Sequence, residues 1–233
     1  MSFTLIEKIL LTIIIISALG SFSWEIIKRF KIVLKGEGKL PFDHLSKRLI
    51  KVLREFIFQE KVLKQRFFVG LMHGFVFWGF MAFGLITIDH FLRGYNLYLF
   101  NDFIRTYYGI FIGLPWSILV LIGILSLAYR RFITKPIFLG EKISYTSGVV
   151  AIFISLLMVT YIIDLVWIIT NSHPSYITYK IIWWLHAILI LAFLILIPKS
   201  KHLHLVLSPF NIFFKPLTNP DHRPVPIDME GDE

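Results

Sequence analysis

The sequence contains no cysteine. That excludes disulfides, thiolate zinc sites and iron–sulfur clusters held by these 233 residues. A redox metal here has only His, Met, Tyr and carboxylates to bind it. Acid is also scarce: 15 Asp and Glu stand against 24 Lys and Arg, for a formal charge of +9. A basic balance by itself would fit nucleic acid, so the placement of the charge has to decide. What the chain has in excess is apolar surface. Of its residues 56% are hydrophobic and 16% aromatic, and its mean hydropathy is +0.72. A soluble domain of this size cannot hide so much, and the bilayer is the expected solvent.

Five apolar runs are each near the ~20 residues needed to span the hydrocarbon core: Phe3–Ile27, Phe67–Phe91, Gly109–Tyr129, Ile143–Ile169 and Ile181–Ile197. Their length predicts helices, since a spanning helix satisfies its own backbone, whereas membrane β-strands are about half as long and alternate. The first run is followed, not preceded, by Lys28, Arg29 and Lys31, and it shows no small-residue cleavage site. It reads as an uncleaved helix rather than a signal peptide. Twelve Lys or Arg lie between Lys28 and Arg66, four between Arg130 and Lys142, and four from Lys199 onward; only Lys8, Arg93, Arg105 and Lys180 fall on the other side. The charge therefore records topology rather than nucleic acid: five helices, N-terminus outside and C-terminus cytoplasmic, in the inner membrane of a prokaryote.

Two segments lie outside the spans. In the loop of about 30–66, Leu45, Leu49, Val52 and Phe56 recur at helical spacing with Lys and Arg between them. This predicts an amphipathic helix on the inner leaflet, where anionic lipid is a natural ligand, or against a partner. The domain boundary is placed at 209–210. The following tail, 210–233, is Pro-rich and acidic at its end, and is expected to lie on a cytoplasmic partner. At the inner end of the first helix, Glu25 is expected to cap or to pair with Lys28 or Arg29.

The chemistry rests on histidine. His44, His173 and His222 fall in loops and receive no role. The other five sit at the ends of two helices: His73 and His90 on the second, His186, His202 and His204 at the fifth. Ionisable groups inside a membrane are functional candidates by default. The second and fifth helices run in opposite directions, so His73 is level with His204 near the inner face, and His90 with His186 near the outer face. Imidazoles at two matched depths fit two b-type haems, each ligated from both helices. His186 and His204 are about five turns of an ideal helix apart and would face the same way, though Pro198 interrupts that helix and makes the alignment approximate; His73 and His90 are about a quarter turn out of phase. Gly70 and Gly74 beside His73, and Gly79 and Gly84 beyond, leave room for a macrocycle or for close helix packing.

The stretches "RFFVGLMHGFVFWGF" (Arg66–Phe80) and "WWLHAILILAFLILIPKSKHLHLVLSPFNIFF" (Trp183–Phe214) resemble the haem b subunits of the respiratory nitrate reductase gamma type. The likeness is greatest to the branch found with heterodisulfide-reductase-like iron–sulfur proteins. The resemblance implies an inner haem on His73 and His204, with His202 a neighbour facing headgroups or a propionate, and His186 on an outer haem. The family's second helix-2 histidine stands ten residues after the first, and here that position is Phe83. This leaves open whether His90 replaces it, another ligand serves, or the outer haem is absent. In fused relatives a tail like "RPVPIDMEG" leads into a ferredoxin-like domain, so the expectation here is a separate iron–sulfur partner.

The implied function is electron transfer between a membrane quinone, such as menaquinone, and that heterodisulfide-reductase-like cytoplasmic partner. Quinone chemistry needs a proton-accepting site, for which Asp89, His90, Arg93 and Asp164 are the outer-side candidates. The alternative is a haem-free anchor that fixes a soluble redox enzyme to the membrane.

Overall fold

A computed structural model describes residues 2–35, 40–136 and 145–217. In chain order its helices are α1 (Leu5–Val33), α2 (Leu45–Val52), α3 (Glu60–Gln65), α4 (Phe67–Gly94), α5 (Asp102–Tyr108), α6 (Leu114–Tyr129), α7 (Tyr145–Ile169), α8 (Tyr176–Leu196) and α9 (His204–Phe214). Single π-helical turns extend α2 (Leu53–Ile57), join α5 to α6 (Gly109–Gly113) and end α6 (Arg130–Thr134). Among the described residues there is no strand. Five rods are long and apolar enough to cross a membrane: Leu5–Val33, Phe67–Gly94, Asp102–Thr134, Tyr145–Ile169 and Tyr176–Lys199. The chain is an all-α, multi-pass membrane protein.

The rods begin or end outside the apolar windows because polar caps set their limits. Thr4 and Glu7 form a reciprocal capping box at α1, Asn101 Oδ1 accepts from the Ile104 amide before α5 (2.8 Å), and Ser175 caps α8. Glu25 pairs with both Arg29 (2.9 Å) and Lys28 (3.5 Å).

The rods close in a sequence of contacts: α4 on α6, α6 on α7, α7 on α8, and α8 on α1. Lipid offers no hydrophobic drive between helices, so close backbone approach matters. A Cβ on Gly123 would stand 2.6 Å from the Met72 carbonyl oxygen of α4, so α4 and α6 meet backbone to backbone. Gly70 likewise faces the backbone of α3 at Val62, which assigns it to packing. Ile13, Leu85, Ile122, Ile152 and Ile188 point outward, as lipid-facing side chains do.

α4 and α8, which carry three of the five histidines, are not a closely packed pair; rings bridge them. Two corrections concern the basic end, where α1 finishes and α4 begins. α8 does not continue through Pro198 to His204. It stops at Leu196, two 3₁₀ turns follow (Ile197–Lys199 and Lys201–Leu203), and Ser200 between them is extended (φ −126°, ψ 176°). His204 therefore opens a new helix, and the five-turn register with His186 does not apply. The boundary expected at 209–210 falls inside α9, which runs through Pro209 to Phe214. The rest of the Pro-rich tail, 218–233, lies outside the described residues, as do His222, Lys39 and Lys142.

Candidate functional site

At the basic end, His73 on α4 and His204 at the start of α9 face each other, with ring centroids 6.0 Å apart and planes 35° apart. Two imidazoles that hold one iron from opposite faces, each at an Fe–N distance of ~2.0 Å, have centroids roughly 6 Å apart. The pair has that spacing. His204 Nδ1 lies 2.8 Å from the Lys201 carbonyl. A carbonyl only accepts, so Nδ1 carries the proton and Nε2 keeps a free lone pair of the kind a metal takes. His73 is half-buried and its Nδ1 is buried with no hydrogen-bond partner, an arrangement that costs free energy unless the ring is engaged elsewhere. Among the described residues no three His, Asp or Glu side chains converge on one point. Imidazoles in pairs are the donor set of a haem, whose macrocycle supplies the other four nitrogens. These residues fit an inner haem b.

His202 does not face outward. It is half-buried, its Nδ1 sits 3.1 Å from Ser200 Oγ, and its ring is 6.2 Å from His204. Burial, aided by the neighbouring His204 and Lys201, pushes its pKa down to about 4. It is a neutral neighbour of the His73–His204 pair.

At the opposite end, His90 and His186 also meet, but with a different geometry. Their centroids are 4.9 Å apart at 62°, and His90 lies flat on Trp183 (4.6 Å, 13°). An iron does not fit between these two rings as they stand: they are about 1 Å too close. His186 Nδ1 is 2.7 Å from Thr160 Oγ1, whose own proton goes to the Leu156 carbonyl (2.8 Å). Nδ1 is therefore the donor and Nε2 is free to accept. His90 Nε2 and Trp183 Nε1 are buried without hydrogen-bond partners. Phe83 packs edge-on against Tyr161 (4.9 Å).

The other outer candidates separate into two roles. Asp89, 3% exposed, accepts from Arg93 Nε (2.6 Å) and from the amides of Leu99 and Phe100 (3.0 and 3.1 Å). Arg93 in turn donates to the Phe100 carbonyl (2.9 Å). This pair holds the loop between α4 and α5. Asp164 instead bonds Arg105 of α5 at 2.5 Å. That pair lines a cavity of about 40 Å³ together with Asp89, His90, His186, Tyr108 and Tyr161. The cavity is large enough for a water and offers it several polar partners.

The chain is similar to two curated proteins. It is 28% identical to the probable iron-sulfur-binding oxidoreductase FadF of Bacillus subtilis, over 91% of this chain and 33% of FadF. It is 22% identical to an EtfAB:quinone oxidoreductase of Syntrophomonas wolfei, over 93% of this chain and 35% of that protein. The chain thus spans about a third of the length of these relatives. No family model matches it, and no solved structure does.

The sequence reading missed two side chains. Arg105 was visible as one of four basic residues on the sparse side, but nothing local pointed to Asp164. Arg48 reads as a surface cation of an amphipathic helix, yet it is 2% exposed. Its guanidinium donates to the Asp43 carbonyl (2.8 Å) and carboxylate (2.7 Å), and to the carbonyls of Phe213 (2.7 Å) and Lys215 (3.0 Å). It thereby ties α2 to the C-terminal end of the helix that His204 opens.

Proposed function

We propose that this chain is a haem b membrane subunit or region that passes electrons between the quinone pool and a cytoplasmic, heterodisulfide-reductase-like iron–sulfur partner. The observation that carries the reading is the His73–His204 pair at 6.0 Å, with one nitrogen of His204 already committed to a carbonyl. The names of the two relatives, an iron-sulfur-binding oxidoreductase and a quinone oxidoreductase, support both ends of the route.

When bound, haem b supplies a one-electron Fe(III)/Fe(II) couple. His73 and His204 would hold it, and the Lys201 carbonyl orients the His204 ring and raises its basicity. Lipid-facing apolar side chains around the spans keep water out. At the opposite end, a quinol that gives up two electrons must also give up two protons. The Asp164 carboxylate and His186 Nε2 are proton acceptors beside the small cavity, and Arg105 holds Asp164 in place. Asp89 lines the same cavity, 3.9 Å from Arg105, and with Arg93 also fixes the loop before α5. The outer pair does not fit a haem in the ring arrangement described, and no step is assigned to one there.

The basic end, with Lys47, Lys51, Lys61 and Lys64, is cytoplasmic in this reading and faces both the partner and anionic lipid. Purification of the full chain from membranes, followed by a reduced-minus-oxidised spectrum and quinol reduction, tests the proposal. A b-type α-band that quinol generates is the expected result. A preparation without the band points to the haem-free anchor instead.

A further inference from the structure

The segment 40–66 remains at the basic end of the bundle, because α1 finishes there and α4 starts there. It is mounted firmly. Arg48 is locked between Asp43 and the end of α9, the Trp78 indole of α4 donates to the Ile57 carbonyl (2.7 Å), and Phe56 packs edge-on against Phe77 (5.0 Å). With that side committed, the remaining directions of α2 are defined. At ~100° per residue, Arg48 and Val52 point into the fold. Leu45, Leu49 and Ile50 occupy an arc of about 140° that starts beside Val52 and reaches the far side at Ile50, and Lys47 and Lys51 fill the arc between Ile50 and Arg48.

Leu45, Leu49, Ile50, Leu53 and Phe58 are 52%, 55%, 54%, 50% and 62% exposed. A solvated linker does not hold five large apolar side chains outward on a fixed backbone. Phe67 and Phe68, at the first turn of α4, are exposed at the same end, so the apolar stripe is continuous with the lipid-facing belt of the bundle. Arg54 is not part of the cationic arc, because Glu60 engages it through both oxygens (2.8 and 2.9 Å). Paired with Arg54 and then Lys64, Glu60 is held down to about 2.

We propose that α2 and the π-turn after it lie in the headgroup zone of an anionic phospholipid leaflet. Leu45, Leu49, Ile50 and Leu53 enter the acyl boundary, and Lys47 and Lys51 sit at phosphate level. An apolar face bordered by lysines is the pattern of an interfacial helix, and Lys47 and Lys51, next to Ile50, complement phosphatidylglycerol or another acidic headgroup. The Arg48 clamp gives this helix a second consequence. Its depth in the leaflet is coupled rigidly to α9. The inference rests on the membrane placement of the bundle and not on the haem or quinone reading.

The absence of cysteine allows a direct test. Single Leu49→Cys and Lys47→Cys variants of the full chain carry a nitroxide label and are placed in nanodiscs of phosphatidylcholine with or without phosphatidylglycerol. Collision with oxygen and with an aqueous nickel chelate then reports depth by electron paramagnetic resonance. In anionic discs the label at 49 is expected to meet oxygen more than nickel, and the label at 47 the reverse. Omission of phosphatidylglycerol, or the added pair Lys47→Glu and Lys51→Glu, is expected to raise nickel access at 49 at least twofold. Equal nickel access at 47 and 49 in anionic discs would overturn the proposal. So would protection at 49 that is independent of lipid charge, or that arises only when a partner protein is added. None of these readouts depends on haem content or quinol reduction, so they stand apart from the functional proposal.

Discussion

The imidazole of His204 faces that of His73 across 6.0 Å, although His204 stands on a short helix that a 3₁₀ break separates from α8. The break matters to the pairing. α8 turns aside at Pro198 and Ser200, and the Lys201 carbonyl of the second 3₁₀ turn then fixes the ring. His73→Ala or His204→Ala should remove the same single haem equivalent, read as pyridine haemochrome per chain, while the yield of inserted protein stays unchanged. His202→Ala should retain it. Loss on replacement of His202 alone would move the ligand by two residues.

His90 is stacked on Trp183 rather than aligned with His186. His90→Ala should therefore leave the inner haem's content and α-band as they are. A wild-type content of two haems per chain, with one lost in this variant, would show that His90 leaves Trp183 and opens the pair by about 1 Å to admit iron.

The Arg105–Asp164 pair is the charged group closest in chemistry to a proton-accepting site. Asp164→Asn keeps the shape and removes the base. Electron transfer from quinol should fall by about 10²-fold or more, the usual scale of a lost general base, with haem content intact. If haem is lost as well, the pair is structural.

Arg48 makes four hydrogen bonds from a site 2% exposed. Arg48→Ala leaves the last carbonyls of α9 unsatisfied and should destabilise the solubilised chain by about 2–3 kcal/mol, with its partner Asp43 too exposed for a larger effect. A thermal unfolding midpoint measures this. Arg48→Lys should recover only part of the loss, because an ammonium cannot reproduce the fork that reaches Asp43 and α9 together.

The five spans, the pairing of Glu25 and the level matching of the histidines were legible in the sequence. Each depends on local quantities: the length of an apolar run, an i to i+4 charge pair, or a count of helical turns. What the sequence could not carry depends on distances between helices. Arg48 is buried by carbonyls 165 and 167 positions away, and Arg105 finds Asp164 across 59; local pattern gives an identical cation whether its partner is water or a helix end. The helix break after Leu196 was visible as a proline, but where the chain re-enters a helix was decided by Ser200 and by the docking of α9 on α2. The two histidine pairs looked equivalent by depth. Tertiary packing made them unequal, since Trp183 occupies the face of His90. Ring angle and spacing are set by what packs beside a side chain, and depth along a helix does not contain that information.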